Sequence, residues 1–451
     1  MNKDRFSVAI DGPAGSGKST ISKYISKELG LLYIDTGAMF RALAYYVLSR
    51  GGDTKDAKSV EKFLPEIDID LKENGGTLNV LLNGEDVSGK IRTPEVSVGA
   101  SDVGTIPAVR TKLLELQRNI AERQDVLMDG RDIGSFVLPN ANIKIFLTAD
   151  VEIRAQRRLA ELLKKGEDVS FEDVLSDMKF RDKNDSERKI APLKKAEDAI
   201  LADTSDLTLE ESLNLVMKIV KRGLFKKSVR VKNLSDYSFG IENVELKDGF
   251  FGKPAADMSE NEAETVKAKL ADNGQKISVY TVNMSPSEHD RYEKALKNID
   301  IMGIEYVKLC LSPLTAGFND SDLKHLAERV NQLGKKLIFE MRAKYTHFTL
   351  RDYLRFRNGG TGLVFNPLEY VLLGENPCEV IKKYEIADDI AFLRINDAKD
   401  GEAVRFGKGD GRVLECMDML CGKNVYCSFR EYLDGYRLEE MLKDFAELIG
   451  N

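Results

Sequence analysis

The chain opens with an unbroken apolar run at residues 6–10, followed by a glycine-rich turn and then a pattern with a period near 3.6. A short continuous run of this kind predicts a strand buried on both faces, and the periodicity after it predicts a helix. Further apolar runs at 126–128, 143–148 and 199–202 alternate with helical patterns over 37–50, 107–122, 151–165 and 209–222. Such alternation predicts an α/β layer with a parallel sheet. Between Asp53 and Ser101 short alternating segments with turn signals at 74–76 and 81–87 predict a small β-rich insertion. Residues 222–227 read as a short linker, after which eight apolar runs follow at 229–233, 243–246, 277–283, 306–311, 337–341, 362–365, 391–395 and 425–429. Amphipathic patterns between them, such as 288–298, 321–333 and 438–448, predict a (β/α)8 barrel. The expected organisation is therefore one domain over 1–222 and a second over 228–451.

Charge narrows the partners. The 451 residues carry 67 Lys and Arg against 74 Asp and Glu, a net charge of −7, so neither nucleic acid nor a membrane is an expected partner. With 42% hydrophobic residues, no apolar stretch of membrane-spanning length and no leader-like start, a soluble cytoplasmic protein is expected. The cysteines, Cys310, Cys378, Cys416, Cys421 and Cys427, are odd in number and lack zinc-like spacing, so they read as reduced, packed thiols. All three histidines, His289, His325 and His347, lie in the second half. Chemistry in the first half must rest on Lys, Arg, Ser and Asp.

The string Gly12, Pro13, Ala14, Gly15, Ser16, Gly17, Lys18, Ser19, Thr20 satisfies G-x-x-x-x-G-K-[ST] between a predicted strand and a predicted helix. Its glycines let backbone N–H groups converge on phosphate oxygens; Lys18 reaches the terminal phosphates and Ser19 can ligate Mg²⁺. The string predicts ATP-type nucleotide binding and leaves the acceptor open. Planar guanidinium groups suit a site for two phosphorylated substrates, and the first half offers Arg41, Arg110, Arg131, Arg154, Arg157, Arg158, Arg181 and Arg188. Arg154, Arg157 and Arg158 fall at i, i+3 and i+4, one helical face, which suits a mobile cover over a triphosphate as well as a salt-bridged helix.

The stretches IDGPAGSGKST, YIDTGAMFRALA, LNGEDVSGKIRTPEVSVGAS, MDGRDIGSFVLPNA and RDKNDSERKIAPLKKAEDA make residues 1–222 resemble bacterial cytidylate kinases. The resemblance implies a P-loop nucleoside monophosphate kinase fold with the insertion at about 53–101 and a lid at about 151–190. It implies ATP, with Mg²⁺, and CMP or dCMP as substrates. By matching positions, Arg41, Arg131 and Arg188 would hold the acceptor phosphate with Thr36 nearby. Ser101, Arg110 and Asp132 would read the cytosine, and Arg181 and Asp185 would reach the sugar. Lys18, Arg154, Arg157 and Arg158 would act on the transferring phosphoryl, and Asp35 and Asp129 would order waters on Mg²⁺. Another small phosphorylated acceptor, with the barrel supplying or sensing a related metabolite, remains an alternative.

The second half is similar to sugar phosphate isomerase/epimerase barrels of the xylose-isomerase-like type, through GIENVELKDGF, MGIEYVKLCLSP, KKLIFEMR and FLRINDAKDGEAVRFGKGDGRVLE. Such barrels imply a divalent metal on acidic residues and a histidine at the strand ends. Glu340 fits one ligand position, whereas Asn366, Arg394 and Ser428 occupy the others, so no firm metal is expected there. The candidate mouth residues Glu340, Arg342, Asn366, Arg394 and Asp397, with Lys399 and Arg405, leave two readings: a module holding an anionic metabolite, or a structural appendage. His289 and His325 read as surface or packing residues, and His347 keeps a possible site role.

Overall fold

The computed structural model describes residues 5–74, 77–164, 166–188, 190–230, 241–283, 285–309, 319–341, 349–357, 360–400, 402–430 and 437–449. Arg342, His347 and Cys310 lie outside them. The chain divides into two compact units, Met1–Gly223 with Ile449–Asn451, and Leu224–Leu448.

In the first unit β1 (Ser7–Asp11) runs into α1 (Lys18–Leu29), β2 (Leu32–Asp35) and α2 (Thr36–Ser49). The segment that follows holds α3 (Ala57–Phe63), then β3 (Ile69–Asn74), β4 (Thr77–Leu82) and β5 (Glu85–Asp86), then α4 (Pro94–Val103). The chain continues through α5 (Pro107–Arg123), β6 (Val126–Gly130), β7 (Ile143–Thr148), α6 (Val151–Lys164), α7 (Phe171–Ser186), β8 (Ile200–Asp203) and α8 (Leu209–Gly223). The sheet is wholly parallel, in the order β2-β6-β1-β7-β8. Every residue of β1 is buried, as its continuous apolar run requires. The predicted insertion is β-rich only across its antiparallel β3-β4-β5 sheet; both flanks are helical. Pro94 and the Thr93 cap, whose side chain accepts from Val96 N, start α4 within the span read as a β-rich insertion.

The second unit begins with β9 (Lys226–Arg230), three residues earlier than predicted, so the predicted linker shrinks to Leu224 and Phe225. There follow β10 (Asn243–Lys247), α9 (Glu260–Asp272), β11 (Lys276–Val282), α10 (His289–Ile301), β12 (Tyr306–Leu309), α11 (Asp320–Gln332), β13 (Lys336–Glu340), α12 (Leu350–Phe356) and β14 (Thr361–Phe365). The last part holds α13 (Pro367–Leu372), α14 (Pro377–Lys383), β15 (Ile390–Arg394), the β16–β17 hairpin (Asp397–Lys399, Glu402–Val404), α15 (Val413–Leu420), β18 (Tyr426–Phe429) and α16 (Leu438–Leu448). Eight parallel strands close in the order β10-β11-β12-β13-β14-β15-β18-β9, a (β/α)8 barrel. Its interior is packed: Phe392 stacks on Tyr426 at 4.8 Å, with the Tyr306 edge against both. Among the described residues no helix is long and apolar enough to cross a membrane.

Candidate active site

In an open parallel sheet, ligands bind beyond the carboxyl ends of the strands. Here β2, β6 and β1 are neighbours, so their ends deliver Asp35, the Asp129–Arg131 segment and the glycine-rich loop to one edge. Asp35 and Asp129 are register partners, as are Asp11 and Gly130. The loop folds as its glycines dictate. Gly17 caps α1 at φ 87°, a conformation side chains resist, and a Cβ on Gly12 would lie 1.9 Å from the Leu147 carbonyl oxygen. A cleft of about 870 Å³ opens above this edge, lined by Ala14–Thr20, Asp35, Thr36, Arg41, Ser101, Asp129, Arg131, Asp132, Arg157, Arg158, Arg181, Asp185 and Arg188 among others.

Lys18 is buried and folds back on its own loop, donating to Pro13 O at 2.7 Å and Ser16 Oγ at 3.3 Å. Burial, reinforced by Arg131, pushes its pKa down. Ser19 Oγ donates to Asp129 Oδ2 at 2.9 Å, and Tyr33 OH to the same oxygen at 3.2 Å. Burial and the neighbouring Asp35 push the Asp129 carboxyl up. A hydroxyl beside a carboxylate whose pKa stays raised even with Lys18 nearby fits a dication carried in on phosphates, the usual manner for Mg²⁺. Asp35 has a second occupation: it caps α2, accepting from Ala38 N at 2.9 Å.

Four guanidinium groups, of Arg41, Arg110, Arg131 and Arg188, rest on carboxylates here. Arg41 donates to Asp35 at 2.8 Å. Arg131 and Arg188 grip opposite oxygens of Asp185 at 2.7 and 2.5 Å. Although burial works against it, these two arginines hold the Asp185 carboxyl below its ordinary pKa. Arg110 pairs with Asp132 in a buried contact and also donates to Gly104 O at 3.1 Å. Its guanidinium carbon lies 5.7 Å from the ring centres of both Phe40 and Phe136, so aromatic faces flank the pair. Burial raises the Asp132 carboxyl against the pull of Arg110. Asp132 precedes a π turn, Ile133–Val137, whose first two N–H groups are held by Asp11 at 2.7 and 2.8 Å. Thr36 Oγ1 is tied to Asp129 O at 2.7 Å.

Several buried polar atoms of these residues have no hydrogen-bond partner: Ser101 Oγ and the Nε atoms of Arg41, Arg110 and Arg188. Leaving a buried polar group unmade costs about 1–3 kcal/mol, and three of these residues, Ser101, Arg41 and Arg188, line the cleft, which points to a ligand that satisfies them.

The three arginines of the α6 face part company. Arg158 lines the cleft, half exposed, beside Glu161 at 3.1 Å. Arg157 also lines it and is anchored to Thr204 O at 2.7 Å. Arg154 turns away from the cleft and is buried, binding Ala149 O, Ala14 O and Asp182 at 2.8, 2.9 and 2.7 Å. It clasps α6, the phosphate loop and α7 together, above a small core of Ala155, Leu162, Val174 and Met178. Identical helical phase does not fix the direction in which a long side chain is drawn.

The cytidylate kinase profile matches residues 8–222. A cytidylate kinase of Caldicellulosiruptor saccharolyticus is 49% identical over 215 residues, 48% of this chain and 95% of that protein. One from Bacillus cereus is 45% identical over 223 residues, 49% and 99% of the two chains. Through its first half, this chain belongs to the cytidylate kinase family. The second half is similar to a solved xylose isomerase domain protein from Planctomyces limnophilus (14% identity, TM-score 0.39, 49% of this chain and 93% of that one). It is also similar to a D-psicose 3-epimerase structure (10%, 0.39, 49% and 96%). The barrel fold of this cytidylate kinase homologue stands on its own strand order.

The barrel interior bears on the two readings of its mouth. Arg394, fully buried, donates to Glu245 at 2.7 Å and Glu340 at 3.1 Å, and also bonds Ser428. Lys308 binds the other Glu340 oxygen at 2.7 Å. Two carboxylates thus already engage the guanidinium that, on one of the two readings, would hold an anion. Despite burial, they keep the Arg394 pKa high, while burial brings Lys308 down to about 8. Asp397 is also engaged, accepting from Gly407, Gly409 and Gly411 N at 3.1, 3.0 and 2.7 Å. A Cβ on Gly409 or Gly411 would collide with its carboxylate, which accounts for that glycine-rich loop. Arg405 pairs with Asp444 on the surface, and Lys399 is exposed on the hairpin. Asn366 Oδ1 is buried without a partner. His289 and His325 meet across α10 and α11, with Tyr292 hydrogen-bonded to both. Among the described residues no cluster of His, Cys, Asp or Glu could hold a metal ion.

Sequence reasoning missed Glu245 and Lys308, because a lone charge in an apolar strand reads as a solvent-facing position. It also missed Arg92, one of the cleft's lining residues. No local pattern distinguishes that arginine from a surface charge.

Proposed function

We propose that this protein transfers the γ-phosphoryl group of MgATP to CMP or dCMP, giving ADP and CDP or dCDP. The observation that carries the reading is the acceptor cleft, where arginines rest on carboxylates and the lining residues Ser101, Arg41 and Arg188 have buried polar atoms without partners. Family membership supports the same reading.

The glycine-rich loop would cradle the triphosphate, and Lys18, at rest on Pro13 O, would turn to the phosphates, whose negative charge adds to that of Asp129 and Asp11 around its buried ammonium. Ser19 and Asp129 would hold a Mg²⁺ carried by ATP, which would offset charge on the phosphates. Arg41, Arg131 and Arg188 receive the acceptor phosphate. Asp132 accepts from the cytosine 4-amino group, Arg110 donates to the ring acceptors, and Ser101 completes the set, so the donor and acceptor pattern of the base is read. Arg181 and Asp185 face the sugar. The nucleophile is an acceptor phosphate oxygen, largely dianionic at neutral pH, so no side-chain base is needed. Arg157 and Arg158 add positive charge over the transferring group, and Arg154 fixes the hairpin that carries them. For the barrel, the pairing of Arg394 and Lys308 with Glu245 and Glu340 supports a noncatalytic, structural reading.

The test is ATP-dependent phosphorylation of CMP, dCMP, UMP and AMP by the full chain. CMP or dCMP should lead in kcat/KM by at least about tenfold, since a site built on hydrogen bonds discriminates by that much or more. Preference for AMP, or indifference among the four, would overturn the reading.

A further inference from the structure

We infer that Arg92 is a fourth ligand of the acceptor phosphate, delivered by the insertion; the inference rests on the acceptor reading above. Arg92 precedes the Thr93 cap of α4 and lines the cleft. It reaches Asp35 Oδ2 at 3.5 Å, the same oxygen that Arg41 holds at 2.8 Å. On the other side of the cleft Asp185 is shared in the same way by Arg131 and Arg188.

Each of these carboxylates therefore serves two guanidinium groups, and each trio carries one surplus positive charge. Together the two trios match a dianionic phosphate. Without Arg92 the Asp35 group is electrically neutral and the match falls short by one charge. The carboxylates act as resting partners: they keep the guanidinium groups ordered and partly desolvated, and a phosphate offers the same fork with more charge. Arg41 and Arg92 come from different parts of the chain, α2 and the end of the insertion. A phosphate gripped by both joins the insertion to the strand edge that carries Asp35. The Arg92 side chain is 55% exposed, in contrast to 7% for Arg188, so it can change partners without disturbing the core.

The test is steady-state kinetics of the full chain with Arg92→Ala and Arg92→Lys, varying CMP at saturating MgATP and the reverse, with cytidine as a competitive inhibitor that lacks the phosphate. Arg92→Ala should raise the KM for CMP roughly tenfold, the scale of one charge-assisted hydrogen bond. It should leave the MgATP KM and the cytidine inhibition constant within about twofold, and Arg92→Lys should recover part of the loss, because the charge returns without the fork. An unchanged CMP KM would overturn the assignment. So would a cytidine constant that rises in step with it, which would make Arg92 a base-side or structural residue. A wild-type chain that phosphorylates no pyrimidine monophosphate would remove the acceptor reading itself, an outcome distinct from a silent Arg92→Ala.

Discussion

Asp11 shows how one buried carboxylate shapes the site from behind. It ends β1, and its two oxygens hold the N–H groups of Ile133 and Gly134, fixing the π turn that follows Asp132. Burial outweighs those hydrogen bonds and raises its pKa from 3.8 to about 6. A carboxyl whose folded pKa lies above its unfolded value contributes stability that is full below 3.8 and is lost as pH rises through about 6. The shift corresponds to roughly 3 kcal/mol. Asp11→Asn does not titrate, so wild type should lose up to about 3 kcal/mol relative to it between pH 4 and pH 7.5. Thermal melts of both proteins at the two ends of that range check this; a difference that stays constant with pH would refute it. The reactive strings GPAGSGKST and GRDIGS were legible because their residue types are demanded by chemistry at fixed spacing. Asp11 was not, since nothing in an apolar run marks which end residue will cap a distant turn.

At the scale of elements, the strands that sequence located best are those buried on both faces, such as 143–148, where periodicity and burial agree. In the parallel sheet the strand missed was β2, four residues with only two buried, too short and too mixed to stand out. Helices α3 and α4 were hidden among turn signals in the insertion, where their caps, Asp56 and Thr93, are also good turn residues. The barrel strands were recognised, and Glu340 and Arg394 were singled out at their ends, but their partners Glu245 and Lys308 were not. Glu245, Lys308, Glu340 and Arg394 sit on β10, β12, β13 and β15, and only the closed barrel brings them together. Removing one member of a buried ion-pair set leaves an uncompensated charge, at a cost of about 3–5 kcal/mol. Arg394→Met should therefore destabilise the barrel by that amount, and adding Glu245→Gln should recover part of it by removing one stranded carboxylate. Denaturant midpoints followed by far-ultraviolet circular dichroism test both steps; a single variant as stable as wild type would mean that the set is dispensable.

At the scale of the whole molecule, the kinase relatives set the expectation. Matches covering 95–99% of proteins that are themselves named cytidylate kinases occupy less than half of this chain. The residues proposed for ATP and for the acceptor all lie between Gly12 and Arg188, within the profile match that ends at residue 222. Nothing in the proposed chemistry draws on the barrel, whose buried charges are engaged with one another. A fragment spanning residues 1–223 should accordingly phosphorylate CMP with kcat/KM within about threefold of the full chain, less than 1 kcal/mol in transition-state stabilisation. Fragment and full chain assayed side by side, with circular dichroism to establish that the fragment is folded, decide the matter. A folded fragment that loses more than about tenfold would show a coupling free energy above roughly 1.4 kcal/mol between the units, and the barrel would then be part of the catalytic apparatus.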